Sequence, residues 1–120
     1  MGITDDMRDR VAAIAGKHGL TLVVLFGSAA AGTERADSDV DIAVKFGAGD
    51  CGLGRLFDVQ HDLSEMFGAR HVDLSVLDHA APFFMKKIAE RHVFLYADPG
   101  EDTSFLLLAF KRYQDHRPYL

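Results

Sequence analysis

The chain has 120 residues and a mass of 13.2 kDa, which predicts a single domain over residues 1–120 and excludes a two-domain enzyme. Apolar residues make up 48% of the sequence and charged residues 26%, as in folded globular proteins and unlike disordered or fibrous chains. The net charge of −5 indicates no basic surface of the kind that neutralises a nucleic-acid backbone, so we expect no direct nucleic-acid binding.

Helices and strands alternate along the predicted chain, and each is indicated by the period of its apolar residues. This order predicts an α/β fold in which a small mixed β-sheet is packed with helices. In chain order the predicted elements are a helix over Thr4–His18, a strand over Leu20–Phe26, a helical turn over Ala29–Ala31, a strand over Ser38–Phe46, a helix over Leu56–Phe67, a strand over Arg70–Leu77, a helix over Ala80–Glu90, a strand over His92–Tyr96 and a helix over Asp102–Asp115.

Neither a membrane span nor a disulfide is predicted. The longest apolar runs, Leu20–Phe26 and Phe105–Phe110, fall far short of the ~20 residues that span a bilayer. The acidic start at Asp5 and Asp6 is unlike the basic flank of a signal peptide. We therefore expect a cytoplasmic protein, and Cys51, as the one cysteine, has no partner for a disulfide or a zinc knuckle.

The strand over Ser38–Phe46 combines buried and acidic positions. It alternates, with Asp39, Asp41 and Ala43 on one face and Val40, Ile42 and Val44 on the other. Carboxylates two residues apart in a strand lie on the same side, about 6.5–7 Å from each other, and repel unless a cation joins them. Mg²⁺ is bound in proteins by one or two such carboxylates, with water and substrate phosphates completing its shell.

A third carboxylate and a glycine turn extend this pattern. Asp73 lies between apolar neighbours in the next strand, and if the two strands are adjacent, three carboxylates converge as a site for two metal ions about 3.5–4 Å apart requires. Gly27 and Ser28 follow a buried strand, where a turn without a side chain lets phosphates approach backbone N–H groups and a hydroxyl. The alternative is that Gly27 only ends the strand, Ser28 caps a helix and the aspartates are solvated.

Taken together, Gly27-Ser28, ten further residues, Asp39-Val-Asp41 and the later apolar-Asp73-apolar pattern resemble the nucleotidyltransferase superfamily. The short length and the stretch Gly27-Ser-Ala-Ala-Ala-Gly-Thr33 are similar to the minimal nucleotidyltransferases, which are antitoxin partners of HEPN-domain toxins. The resemblance covers residues 20–77, and the tail over 110–119 is also similar. It implies a polymerase-β-like fold.

The resemblance also implies an activity and its residues. Gly27 and Ser28 would hold the nucleotide phosphates, Asp39 and Asp41 would bind two Mg²⁺ ions, or Mn²⁺, and Asp73 would complete the metal site or act as base. The implied reaction transfers AMP from ATP to a hydroxyl, most simply a tyrosine of a HEPN-type toxin. Many relatives carry arginine where this chain has Ala31, and Arg35 or Lys45 could replace it.

Three other functions remain open at this stage. The chain could be an antitoxin that neutralises its toxin by binding alone, or a nucleotidyltransferase that modifies a small molecule such as an aminoglycoside. The stretch Gly47-Ala-Gly49-Asp-Cys-Gly52 also matches the dinucleotide-binding glycine pattern, although the strand before it carries Asp39, Asp41 and Lys45 where that pattern requires an apolar first strand.

Overall fold

The computed structural model describes residues 2–32, 39–47, 52–68 and 70–116, the last five of them by backbone alone. Five helices and four strands lie within these ranges, in the predicted order. They are α1 (Asp5–His18), β1 (Leu22–Phe26), α2 (Ser28–Ala31), β2 (Val40–Lys45), α3 (Leu53–Met66), β3 (Val72–Val76), α4 (Pro82–Glu90), β4 (His92–Ala97) and α5 (Glu101–His116). Helix α3 begins three residues before the predicted start at Leu56, and β2 begins at Val40, so that Asp39 precedes the strand.

The strands form one sheet in the order β3-β2-β1-β4. Strand β1 is antiparallel to both β2 and β4, whereas β2 and β3 are parallel. A parallel pair needs a crossover connection, and α3 supplies it between β2 and β3. The predicted mixed sheet with helices is therefore confirmed.

Both faces of the sheet are buried, as the continuous apolar run of β1 predicts. On one face Val23 and Leu25 pack with α1 and α3, and on the other Leu22 and Val24 pack with α4 and α5. The first cluster also contains Val11, Ala15, Ile42, Val44, Phe46, Val59 and Leu63, and the second contains Ala43, Met85, Ile88, Phe105 and Ala109. Removing this apolar surface from water is the main stabilising contribution to the fold.

The first helix shows why local sequence sets its ends. The Thr4 hydroxyl accepts a hydrogen bond of 3.1 Å from the backbone N–H of Met7, which satisfies a donor that the helix leaves free. Gly19 ends the helix at φ 72°, a conformation open to glycine, and its N–H donates to the Ala15 carbonyl. None of the helices described is both long and apolar enough to cross a membrane.

Candidate active site

Three neighbouring strands bring their ends together at one edge of the sheet. Phe26, the last residue of β1, is the register partner of Asp41 in β2, and Asp41 is in turn the partner of Asp73 in β3. The turn at Gly27, directly after β1, therefore lies beside the carboxylate of Asp41, and Asp73 is one strand further across the sheet. The sequence predicted that three carboxylates converge if the strands of Asp41 and Asp73 are neighbours, and β2 and β3 are indeed paired.

The turn after β1 requires a glycine at position 27. Its φ of 74° and ψ of −149° belong to a region that side chains avoid. A Cβ on Gly27 would also overlap the Oδ2 atom of Asp41. The missing side chain therefore permits both the backbone conformation and the close approach of the turn to the carboxylate.

Gly27, Ser28, Asp41 and Asp73 line one cavity of about 540 Å³. This volume lies within the range of small-molecule binding sites, roughly 300–1,000 Å³. The remaining lining residues come from β1, β3 and the region of α4: Phe26, Ser75, Phe84, Lys87, Glu90 and Arg91. Asp39 is exposed and is not among the lining residues, although its charge acts on Asp41.

Asp41 is in an electrostatically unfavourable position. Partial burial, followed by the negative charges of Asp73 and Asp39, raises the pKa of the Asp41 carboxyl above its ordinary value. Among the described residues, no hydrogen bond or ion pair reaches the carboxylate of any of the three. Converging carboxylates without partners are hard oxygen donors of the kind that Mg²⁺ and Mn²⁺ prefer, so the residues present fit a divalent cation.

Two basic residues of the cavity, Lys87 near the end of α4 and Arg91 directly after it, had no place in the sequence interpretation. The sequence shows a helix there but not that this helix packs over the site. Lys45, one predicted substitute for the arginine absent at Ala31, instead forms a 3.0 Å ion pair with Glu101 and lines a separate cavity. That part of the interpretation was wrong for Lys45, and Arg35 lies outside the described residues.

A second group of ligand-type side chains lies between α1 and α3. The ligand atoms of His61, Asp62 and Glu65 are within 4.8 Å of one another. Asp62 is already bound by His18 at 2.7 Å and by Lys17 at 3.0 Å, and His61 pairs with Glu65 at 3.2 Å. The contacts of Asp62 with His18 and Lys17 lower its pKa, His18 contributing most, and they join α3 to α1. The group is accounted for by ion pairing.

The described strands around the glycine pattern at Gly47–Gly52 differ in topology from those of a dinucleotide site. Such a site needs a parallel sheet whose first strand leads into the glycine turn. Here the strand before Gly47 is β2, the second of the chain, and its neighbour β1 is antiparallel. Residues 48–51 of the pattern lie outside the described residues.

Comparison with known proteins gives a consistent family. The model of the family described as polymerase beta, nucleotidyltransferase, matches residues 10–100. A putative protein adenylyltransferase of Methanocaldococcus jannaschii is 29% identical over 89 residues, which cover 74% of this chain and 94% of that protein.

Solved structures show the same fold. A chain from a toxin–antitoxin crystal structure with AMP-PNP has a TM-score of 0.75 at 24% identity, covering 90% of this chain and 87% of that one. A chain from the complex of a tri-AMPylated Shewanella oneidensis HEPN toxin with its MNT antitoxin has a TM-score of 0.70 at 20% identity, covering 94% and 88%. At 24% and 20% sequence identity, these similarities show a shared fold.

Proposed function

Because the chain belongs to the polymerase beta nucleotidyltransferase family, whose model matches residues 10–100, we propose that it transfers AMP from ATP to a tyrosine hydroxyl of a HEPN-type toxin and so acts as the antitoxin. The observation that carries this proposal is the cavity in which Asp41 and Asp73 face Gly27 and Ser28. The protein acceptor is supported by the similarity to a putative protein adenylyltransferase and to chains of toxin–antitoxin complexes, one with a tri-AMPylated toxin. The reaction consumes ATP, and we place it in the cytoplasm.

The proposed roles follow from position in the cavity. The Ser28 hydroxyl would bind phosphate oxygens, and so would the backbone at Gly27, where no Cβ stands between the peptide and the ligand. Asp41 and Asp73, with Asp39 at the margin, would hold two Mg²⁺ or Mn²⁺ ions. When bound, these ions would supply charge neutralisation for the triphosphate and for the departing pyrophosphate.

The chemical step is a substitution at the α-phosphorus. The acceptor oxygen forms a bond to that phosphorus, the bond to the β-phosphate oxygen breaks, and pyrophosphate leaves with the electron pair. The acceptor proton must go to a base, and Asp73, which is exposed and lines the cavity, would accept it and release it to water. Asp41, which is more buried than Asp73, would remain a ligand of the ions.

The test is incubation of the purified chain with a HEPN-type toxin, ATP and Mg²⁺, followed by intact mass spectrometry of the toxin. We expect the toxin to gain whole AMP units and to lose toxicity. Asp41→Asn and Asp73→Asn should abolish the gain, whereas Asp58→Asn should not, because Asp58 is exposed on α3 and does not line the cavity.

A second candidate is an antitoxin that acts by binding alone. It is favoured by Ala31, which leaves that position of the glycine turn without a cation. A toxin that is neutralised in a stable complex but keeps its unmodified mass would establish this candidate and refute transfer. A toxin neither bound nor modified would instead direct attention to small-molecule acceptors.

A further inference from the structure

Helix α4 and the residue that follows it contribute to the lining of the cavity that contains the carboxylates. Lys87 is in the last turn of α4 and Arg91 follows the helix in an extended conformation, and both line the cavity that Asp41 and Asp73 also line. Both side chains are exposed to solvent. One cavity is therefore lined by two carboxylates from the strands and, from α4 and the residue after it, by Glu90 and two cations.

These two cations are available to a ligand. Within the described ranges, the side chains of Lys87 and Arg91 form no hydrogen bond or ion pair, although the charges of both contribute to the lowered pKa of Glu90. The neighbouring acid, Glu90, is bonded to Lys86, and this contact accounts for most of the lowering of the Glu90 pKa. Because Lys86 neutralises Glu90, the charge that α4 offers to the cavity is positive.

We propose that Lys87 and Arg91 bind the outer phosphates of the nucleoside triphosphate, and so select a triphosphate over a monophosphate in this site. The inference rests on the function proposed above. The β- and γ-phosphates carry most of the negative charge of a triphosphate, and they extend beyond an α-phosphate held near Asp41 and Asp73. Arg and Lys are the side chains that bind phosphate oxygens with charge-assisted hydrogen bonds. The same contacts would hold pyrophosphate after the transfer.

Lys87 and Arg91 could instead stabilise α4, and the experiment must distinguish this structural role from phosphate binding. Cations near the carboxyl end of a helix interact favourably with its dipole, and Lys87 is in the last turn of α4. That role predicts a loss of thermal stability without ligand when the cations are removed. The phosphate-binding role predicts a loss that depends on how many phosphates the ligand carries.

The experiment compares the double variant Lys87→Ala/Arg91→Ala with the wild-type chain and with Lys111→Ala. Lys111 is exposed on α5 outside the cavity, so the last variant removes a charge from a helix without touching the site. Affinities for ATP, AMP and tripolyphosphate are measured by calorimetry in Mg²⁺, together with melting temperatures without ligand and the KM for ATP in toxin modification.

We expect the double variant to bind ATP and tripolyphosphate about 10- to 100-fold more weakly and AMP with unchanged affinity, since each charge-assisted hydrogen bond lost costs a factor of this order. Lys87→Arg should retain most of the ATP affinity. Equal weakening of ATP and AMP, unchanged ATP binding, or a loss confined to the ligand-free melting temperature would overturn the inference.

The two proposals fail in different ways. If the wild-type chain modifies the toxin and the double variant has an unchanged KM for ATP, the role of the two cations is wrong and the transferase function stands. If the toxin is never modified but tripolyphosphate binding depends on Lys87 and Arg91, the phosphate site stands and the transferase function is wrong. A wild-type chain that binds neither ATP nor tripolyphosphate overturns both.

Discussion

Asp41→Asn should make the metal-free protein more stable while removing its response to nucleotide. Asp41 and Asp73 are register partners on adjacent strands, which lie about 4.8 Å apart, so their carboxylates face each other at roughly 5 Å. At an effective dielectric constant of about 20 that repulsion is near 3 kcal/mol, and the exposure of Asp73 together with physiological salt reduces it to about 1 kcal/mol. Removing one charge should raise the melting temperature in EDTA by about 3–5 °C.

The stability difference between Asp41→Asn and the wild-type chain should depend on pH in a defined direction. Because the folded-state pKa of Asp41 is raised above its ordinary value of 3.8, its contribution to stability is fully present below the unfolded pKa and is lost as pH rises through the folded pKa. The advantage of the Asn variant should therefore be largest at neutral pH and vanish as the pH approaches 3.8. Differential scanning calorimetry over this range, in EDTA, measures it directly.

Asp62→Asn is the matched control because it makes the same chemical change with the opposite expectation. Its carboxylate is bonded to His18 and Lys17, which lower its pKa, so its contribution is present above the unfolded pKa and lost as pH falls through the folded one. This variant should lose about 1–2 kcal/mol at neutral pH and keep its stabilisation by ATP and Mg²⁺. If Asp41→Asn also lost stability in EDTA, or still gained several degrees from ATP and Mg²⁺, Asp41 would be a structural residue and the reasoning would be refuted.

Two substitutions at turns test the local geometry. Gly27→Ala should cost about 1–3 kcal/mol in urea unfolding because φ is 74° there, and it should weaken ATP binding by displacing Asp41; normal ATP affinity in that variant would exclude close packing of the turn against the carboxylate. Thr4→Ala should cost about 1 kcal/mol through loss of the cap to Met7 and leave nucleotide binding intact, whereas unchanged stability in the same urea assay would mean that the cap contributes nothing.

The fold followed from the sequence because its signals are local. Apolar residues recur at the helical period in α1, β1 is a continuous apolar run, and Gly19 ends a helix in the conformation that glycine favours. The predicted ends of strands were less accurate where the alternation of apolar residues continues beyond the hydrogen-bonded pairs. The alternation through Asp39 predicts a strand from Ser38, yet pairing with β1 ends at the partner of Phe26, which is Asp41.

The candidate site was predictable only in part, because periodicity does not say which strands are neighbours. The i, i+2 spacing places Asp39 and Asp41 near each other, but the position of Asp73 depends on β3 pairing in parallel with β2. The wall formed by Lys87 and Arg91 depends on which helix packs over that edge, and nothing in the helical period of α4 carries this information. Lys45 shows the converse error: it shares a face with Asp41 but lies four residues, about 13 Å, further along the strand.

The candidate site lowers the stability of the fold that holds it. Gly27 is held in a region of φ and ψ open to glycine, and the Asp41 carboxylate is half-buried among like charges without a partner in the described part of the chain. Such features persist only when the surroundings determine them strongly. Here β1 supplies that constraint: Val23 and Leu25 are fully buried on one face of the sheet and Val24 on the other, directly before the turn. Truncating these side chains should therefore disturb the turn as well as the core, whereas neutralising Asp41 should relieve the repulsion and leave the turn in place.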